Sequence, residues 1–213
     1  MTEIEIKLSL SESDYGKVID HFKSSLKETL DQWNIFFDTS SFDLIKTKSN
    51  LRLRRILSDK SPEKWFLTCK QGGKMVNGVA LKPEYETEIT PELGKYLITA
   101  PPDLFSKLPA KIQEPISFAK DWKFQIIGDF RTVRRVIPFE GTKIEADESF
   151  LPNSTKFYEI EVESEHPEEL KPKIEQKLNE IGAKFTNSSK GKMRRLLELP
   201  DNLRFSRKSY VIE

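Results

Sequence analysis

The sequence predicts an α+β protein whose main element is an antiparallel β-sheet. In residues 2–10, apolar and polar residues alternate strictly, so that Ile4, Ile6 and Leu8 lie on one face of a strand. The same period of two recurs along the chain, and the segments concerned have one apolar and one charged face, which is typical of an antiparallel sheet with one dry side. Other stretches follow the 3.6-residue period of amphipathic helices, which would cover that dry side. Together these observations predict the α+β class.

The individual elements follow from these two periods and from local cap and turn residues. A first helix begins after the cap signal at 11–13, and Thr90-Pro91 starts another. A longer helix spans about Pro167 to Ile181, with Gly182 as its C-terminal cap. The glycines of segment 71–80 predict a turn or a mobile loop. Strands are predicted at 2–10, 34–39, 51–57, 64–70, 84–89, 124–128, 130–139, 142–148, 157–163 and 190–197, and 124–128 and 130–139 are expected to form a hairpin.

The composition limits both the class of protein and the kind of site. The 213 residues include 35 Lys and Arg against 34 Asp and Glu, with one cysteine and two histidines. So few thiol and imidazole groups exclude a disulfide framework and a zinc or copper cluster, so any metal would be held by oxygen. No apolar run reaches the roughly 20 residues of a membrane span. We expect a cytoplasmic monomer that binds neither membrane nor nucleic acid, with one domain over 1–213, a core at about 2–197 and a tail at 198–213.

Charges of one sign are grouped on single strands. Arg52 and Arg54 share a face, and so do the members of two carboxylate triples. The triples are Glu84, Glu86 and Glu88, and Glu159, Glu161 and Glu163. Like charges side by side repel, so an ordinary solvated face would mix them with other residues. Two interpretations stay open, a solvated outer surface and a barrel whose charged faces point inward.

An inward-facing arrangement would suit a polyphosphate that binds together with divalent cations. Carboxylates bind a hard metal ion, while guanidinium and ammonium groups bind phosphate oxygens. Burying so many charges is costly unless counterions arrive with the ligand. Oxygen donors with almost no His or Cys favour Mg²⁺ or Mn²⁺.

The segment Glu3-Ile4-Glu5-Ile6-Lys7 matches the E-x-E-x-K motif of the CYTH superfamily, also called the triphosphate tunnel metalloenzymes. The chain resembles this family in order from Glu3 to about Arg195. The further matching residues are Phe36-Phe37-Asp38-Thr39, Leu51-Arg52-Leu53-Arg54, Lys70, the strand around Glu86 and Glu88, Arg134, Lys143-Ile144-Glu145-Ala146-Asp147, Tyr158-Glu159-Ile160-Glu161 and Lys192.

The resemblance implies a fold and a set of site residues. The implied fold is a closed eight-stranded antiparallel β-barrel, a tunnel with flanking helices, that holds a small triphosphate. The implied phosphate-binding residues are Lys7, Arg52, Arg54, Lys70, Arg134 and Lys192. One or two Mg²⁺ or Mn²⁺ ions would be held by Glu3, Glu5, Glu86, Glu88, Asp147, Glu159 and Glu161. The residues implied in catalysis are Glu3, Glu5, Glu159, Glu161 and Lys192, with Lys192 either binding phosphate alone or also protonating the leaving group.

The resemblance also implies a reaction, the metal-dependent hydrolysis of the terminal phosphoanhydride of a short triphosphate. Thiamine triphosphatases of the family carry a Trp immediately before the Leu-Arg-x-Arg strand, where this chain has Asn50. We therefore expect inorganic tripolyphosphate as the substrate, with thiamine triphosphate as the alternative. The other hypotheses are a class IV-type adenylate cyclase, a non-catalytic polyphosphate-binding module and an ordinary exposed sheet domain. Trp33 or Trp65 could serve instead as an aromatic platform for an organic group, although Trp65 is expected in the core. Cys69 is also expected to be packed in the core.

Overall fold

The computed structural model describes the backbone of residues 2–76, 79–119, 123–188 and 190–205, and within these ranges the side chains of 2–3, 74–76 and 80–82 are not described. The strands are β1 (Thr2–Leu10), β2 (Glu28–Thr39), β3 (Asn50–Ser58), β4 (Lys64–Lys70), β5 (Lys74–Val76), β6 (Val79–Ile89), β7 (Phe124–Phe139), β8 (Thr142–Phe150), β9 (Lys156–Glu163) and β10 (Phe185–Asn187). The α-helices are α1 (Glu12–Phe22), α2 (Asp43–Lys46), α3 (Pro91–Thr99), α4 (Leu104–Lys107), α5 (Ala110–Gln113), α6 (Pro167–Ile181) and α7 (Lys192–Leu197). Short 3-10 helices lie at Lys23–Ser25, Pro101–Asp103, Glu114–Ile116 and Asp201–Leu203.

All strand pairings are antiparallel, and the sheet has the order β10-β1-β9-β8-β7-β2-β3-β4-β6-β5. A further pairing joins β1 to β6, with Thr2 opposite Pro83 and Ile6 opposite Val79. The two short strands β5 and β10 lie beside β6 and β1. The predicted α+β class, an antiparallel sheet with flanking helices, is confirmed, but the described residues form a ten-stranded sheet where the resemblance implies a closed eight-stranded barrel. The segment predicted as the loop 71–80 contains β5 and the start of β6, and its residues 77–78 lie outside the described part of the chain.

Helices α1 to α6 cover the outer face of the sheet. Helices α1 and α6 pack on β1, β8 and β9 around the buried residues Ile6, Ile160 and Ile174. On the other side, α2 to α5 cover β2, β3 and β4, and Trp65 lies at the centre with no exposed surface. Helix α3 approaches this indole so closely that a Cβ added at Gly94 would lie 2.4 Å from Trp65 Cε3. The outer face is therefore the dry side that the alternation predicts, and Trp65 is core as expected.

Strand β7 corrects the hairpin predicted from 124–128 and 130–139. It is one continuous strand of 16 residues, and both halves pair with β2. The register shifts between Phe36 and Phe37, where a bulge in β7 precedes Gly128, whose φ is +155°. A Cβ at Gly128 would lie 2.9 Å from Leu196 Cδ2, so the glycine admits the C-terminal segment against the sheet rather than marking a turn.

The strand predicted at 190–197 is wrong, because Lys192–Leu197 forms the helix α7. Its Leu196 is fully buried against Phe36 and Phe130, and the helical turn places Lys192 and Arg195 on one side, three residues apart. A six-residue segment is too short for a period of 2 to be told from one of 3.6, so the tertiary contacts of Leu196 decide the helix. No helix in the described ranges is long and apolar enough to cross a membrane.

Candidate active site

The inner face of the sheet lines a cavity of about 1020 Å³. The alternation that buries the apolar residues outside turns the polar residues of the same strands inward. Residues from β1, β2, β3, β4, β6, β7, β8, β9 and α7 all reach it. The lining residues include Glu5, Lys7, Leu30, Arg52, Arg54, Ile56, Phe66, Lys70, Glu84, Glu86, Arg134, Lys143, Glu145, Glu161 and Lys192. Of the two open interpretations, the inward-facing charged surface is the one present.

One wall of the cavity is a buried cluster of ion pairs centred on Glu161. Lys7 Nζ lies 2.6 Å from Glu161 Oε1, Arg134 Nη2 lies 2.6 Å from Glu161 Oε2, and Lys192 also contacts this carboxylate. Arg134 holds Asp147 through two hydrogen bonds of 2.8 and 2.7 Å, and it pairs with Glu145 as well. Three cations thus converge on one carboxylate. Its side chain is only 5% exposed, so this contact set is shielded from solvent.

Glu161, Lys7 and Lys192 are charged at neutral pH. Burial by itself raises the pKa of Glu161, but the positive charges of Lys192, Lys7 and Arg134 outweigh it and hold the pKa well below its usual value. Burial likewise opposes protonation of Lys7 and Lys192, and the carboxylates around each of them still raise the pKa above its ordinary value. Lys192 therefore carries a positive charge at neutral pH.

Lys192 covers two further carboxylates. Its Nζ lies 2.7 Å from Asp147 Oδ2 and 3.7 Å from Glu159 Oε2, and neither Asp147 nor Glu159 has any exposed surface. The Oε2 atom of Glu159 is buried and makes no hydrogen bond with a described residue. A buried carboxylate oxygen without a hydrogen-bond donor is costly, so this atom points to a cation that the site would accept.

The opposite wall, on β3 and β4, is cationic. Arg52 Nη2 donates to Thr68 Oγ1 at 3.2 Å, and its Nε is buried without a hydrogen-bond partner among the described residues. Arg54 Nε donates to Asn34 Oδ1 at 2.9 Å, and the described side chains offer Arg54 no ion pair with a carboxylate. Burial and the positive charges of Arg52 and Arg134 lower the pKa of Arg54 to about 9. An anion in the cavity would relieve this repulsion.

Three apolar side chains form a patch at one rim of the cavity, which we call the rim patch: Leu30, Ile56 and Phe66. They come from neighbouring strands, since Gln32 pairs with Ile56 and Arg54 with Phe66. All three are half-buried, and none belongs to the buried clusters that the structure describes.

The donor set fits a hard divalent cation. Glu5, Glu145, Asp147, Glu159 and Glu161 supply carboxylate oxygens along β1, β8 and β9, and Asp147 and Glu159 are directly opposite each other. Cys69 is buried on the outer face, where burial and Glu84 raise the pKa of its thiol to about 12, so it offers no soft ligand. An exposed set of His166, Glu168 and Glu169 lies elsewhere, at the start of α6. Oxygen-only coordination suits a hard divalent cation.

Most of the residues implied by the resemblance meet in this cavity. Of the phosphate-binding set, Lys7, Arg52, Arg54, Lys70, Arg134 and Lys192 all line it. Of the metal-binding set, Glu5, Glu86 and Glu161 line it, and Asp147 and Glu159 lie behind Lys192. Glu88 is exposed opposite Phe66 and is not among the lining residues. The side chain of Glu3 lies outside the described part of the structure, although its backbone pairs with Lys82 in β6.

The structure adds residues that the sequence reasoning did not select. Glu84 forms an ion pair of 3.0 Å with Lys70, and Glu145 pairs with Arg134. Both belong to alternating charged strands, so this signal was present in the sequence. Ser188 and Arg195 contact Glu159 from the C-terminal segment, and no periodicity marks them. Trp33 is not a platform, because its indole N–H donates to Asp129 and its ring packs on the outer core.

The fold and the cavity first define a class, an antiparallel α+β protein whose sheet surrounds a charged internal cavity. The sequence matches the CYTH domain model over residues 1–197. The chain therefore belongs to the CYTH domain family.

Individual relatives agree with this membership. An inorganic triphosphatase from Haemophilus influenzae is 28% identical over 206 residues, which cover 92% of this chain and 55% of that protein, so the chain spans about half the length of this curated relative. A solved structure from Hippeastrum, described as a candidate adenylyl cyclase with a dominant triphosphatase activity, is 33% identical with a TM-score of 0.83, covering 94% of this chain and 99% of that one. A candidate adenylate cyclase from Bacillus halodurans shares the fold at 22% identity and a TM-score of 0.67, covering 91% of this chain and 97% of its own.

Proposed function

We propose that this protein is a divalent-metal-dependent hydrolase that cleaves the terminal phosphoanhydride of a short triphosphate, with inorganic tripolyphosphate as its substrate. The observation that carries the proposal is the pairing of a buried carboxylate wall with a cationic wall across one cavity. A simple anion-binding module needs the cations alone, whereas the carboxylates add a place for metal ions. The activities named for the Haemophilus and Hippeastrum relatives support the same class of reaction.

The roles follow from the two walls. Arg52 and Arg54 bind the phosphate oxygens from β3, since a guanidinium group can bind two oxygens and keeps its geometry. Lys7, Lys70, Arg134 and Lys192 complete the phosphate-binding set. Glu3, Glu5, Glu86, Asp147, Glu159 and Glu161 are the proposed metal-binding set, for one or two Mg²⁺ or Mn²⁺ ions. Glu88 is left out of this set because it does not line the cavity. When bound, such ions would neutralise phosphate charge and favour ionisation of water.

The reaction needs positioning and charge neutralisation more than a covalent nucleophile. A water oxygen bonds to the terminal phosphorus, the bond from that phosphorus to the bridging oxygen breaks, and the products are orthophosphate, diphosphate and a proton. The eight strands β1, β9, β8, β7, β2, β3, β4 and β6 would act as a closed tunnel that keeps the phosphate chain between the two walls.

Ligand binding would exchange the ion pairs of the cavity. The cations that now neutralise Glu161 and Asp147 would turn to phosphate oxygens, and the carboxylates they release would turn to metal ions. Lys192 is central to this exchange, because it covers Asp147 and Glu159. The charges of the Glu161 cluster are then paired in both states, which avoids the cost of a bare buried ion.

The proposal is tested with a substrate panel at fixed metal concentration. Tripolyphosphate, thiamine triphosphate and ATP are each incubated with Mg²⁺, with Mn²⁺ or with a chelator, and phosphate release is measured. We expect metal-dependent release that is fastest with tripolyphosphate and is lost with the chelator. Release from none of the three would reject the hydrolase, and binding of tripolyphosphate without release would identify a non-catalytic polyphosphate-binding module. Cyclic nucleotide as the main product from ATP would indicate a class IV-type cyclase instead.

A second candidate, an organic triphosphate such as thiamine triphosphate, is favoured by the rim patch. Its apolar side chains lie beside Arg54, where the uncharged part of a substrate would emerge from the phosphate-binding region. Inorganic tripolyphosphate would leave this surface in contact with water, whereas a ring would bury it at about 25 cal/mol per Å².

Substitution of the rim patch separates the two candidates. If the organic group contacts the patch, Ile56→Ser should raise KM for thiamine triphosphate at least about threefold relative to KM for tripolyphosphate, because apolar contact area is lost. The matched control is Leu57→Ser on the same strand, since Leu57 is 41% exposed on the opposite face. Equal effects of the two substitutions on the KM ratio would reject the organic substrate.

A further inference from the structure

The two oxygens of Glu159 have different surroundings. Oε1 accepts a hydrogen bond from Ser188 Oγ at 2.9 Å, and Arg195 Nη2 lies 3.4 Å from the same oxygen. Oε2 is buried, has no hydrogen-bond donor among the described residues, and faces Lys192 Nζ at 3.7 Å. The carboxylate is thus held through one oxygen, and the other oxygen is left available.

Ser188 is well fixed for this contact. It is 2% exposed, and its backbone N–H donates to Lys7 O at 3.1 Å, which ties it to β1. Its hydroxyl has one proton and two acceptors in reach, since Lys190 O lies 3.2 Å from Oγ. The ionised carboxylate is both closer and charged, so the proton belongs to the bond with Glu159.

The hydrogen bond restricts rotation of the carboxylate. A glutamate with both oxygens free can turn its carboxyl plane and can present either oxygen or both to a cation. With Oε1 bound to Ser188, Oε2 is the oxygen directed toward Lys192 and Asp147. Hydrogen bonds that orient metal ligands in this way affect metal affinity by about 10-fold to 100-fold.

We propose that Ser188 is a positioning residue that holds Oε1 of Glu159 and so presents Oε2 to a divalent cation. Ser188 touches neither substrate nor metal and acts through Glu159 alone. The inference rests on the proposed metal dependence, and it adds the β10 end of the chain to the machinery of the site.

The test measures Mn²⁺ affinity of the purified full chain by calorimetric titration without substrate. Ser188→Ala should weaken Mn²⁺ binding at least about 10-fold. The matched control is Ser149→Ala, which removes another fully buried hydroxyl whose partner is Thr132 Oγ1 at 3.0 Å rather than a carboxylate. We expect the control to bind Mn²⁺ within about twofold of the unmodified protein and both variants to unfold cooperatively.

A double-substitution cycle shows whether Ser188 acts through Glu159. In a Glu159→Gln background, Ser188→Ala should have no further effect on Mn²⁺ affinity. An equal loss in both backgrounds, or no loss in the unmodified background, would overturn the positioning role. If the unmodified protein binds no Mn²⁺, both the metal-dependent function and the role of Ser188 are rejected. If it binds Mn²⁺ and Ser188→Ala binds equally well, only the role of Ser188 is rejected.

Discussion

Glu159→Gln is expected to lower the rate of tripolyphosphate hydrolysis by at least about 100-fold while the fold stays intact. The substitution keeps the shape of the side chain and can keep the hydrogen bond from Ser188, but it removes the negative charge that Oε2 presents. An amide binds a divalent cation far more weakly than a carboxylate, and charge neutralisation is the largest contribution to phosphoryl transfer. Initial rates at saturating Mg²⁺ measure the loss of activity, and a thermal unfolding curve shows whether the fold is intact.

The control for this substitution is Glu148→Gln. Glu148 follows Asp147, the residue opposite Glu159, and lies on the other face of β8, where it pairs with Lys156 at 3.1 Å. The Lys156 side chain is 43% exposed and that of Glu148 18%. An ion pair near the surface contributes about 0–1 kcal/mol to stability, and this one lies outside the cavity, so the rate of hydrolysis should change less than about twofold. A Glu159→Gln variant that keeps the unmodified rate would contradict the metal-binding role of Glu159.

Arg54→Gln is expected to stabilise the ligand-free protein and to weaken tripolyphosphate binding by about 10-fold or more. The Arg54 guanidinium is buried beside Arg52 and Arg134, and its described partner is the neutral amide of Asn34. A neutral side chain removes this repulsion, so Tm should rise by about 2–4 °C, the equivalent of about 1 kcal/mol in a chain of this size. Binding weakens because a charge-assisted contact with phosphate is lost.

The pH dependence of this effect has a definite sign. The pKa of Arg54 is about 9 in the folded protein against 12.5 for an unperturbed guanidinium. Between these values the unfolded chain binds the proton more tightly, so this group makes the folded state more stable as pH rises, and its cost is fully present below about pH 9. The Tm advantage of Arg54→Gln should therefore shrink when unfolding is measured at pH 10 instead of pH 7.

Arg55→Gln is the matched control for Arg54. Arg55 is the next residue of β3 but faces outward, where its guanidinium pairs with Glu63 at 2.9 Å and lies over the Trp65 ring. Its loss should lower Tm slightly and leave tripolyphosphate affinity unchanged. If Arg54→Gln lowers Tm as Arg55→Gln does, the repulsion in the empty cavity is contradicted.

The local pattern predicted which face of each strand carries the charge. Ile6 and Ile160 were assigned to a dry face, and both are fully buried beneath the helices. Alternation works here because the side chains of a strand point to opposite faces by geometry alone. Glu84 and Glu145 belong to the same pattern, but the family resemblance implies their neighbours Glu86 and Asp147 instead.

Contacts between distant segments could not be predicted in this way. Ser188 and Arg195 reach Glu159 across 29 and 36 residues, and the helix that carries Arg195 was interpreted as a strand. Likewise the predicted hairpin ends its first strand at Gly128, although this glycine lies within β7 and leaves room for Leu196. In each case the contacting residue is distant in sequence, so the local hydrophobic period contains no information about the contact.

The alternation within the strands already places the charges on one face of an antiparallel sheet, grouped by sign, because side-chain direction in a strand depends on position alone. That this face turns inward, and that Lys7, Arg134 and Lys192 meet at Glu161, is visible in the three-dimensional structure and in no local pattern. Curvature and register arise from packing of the whole sheet against its helices. The energy of a buried charge depends on which partners that packing brings within a few ångströms.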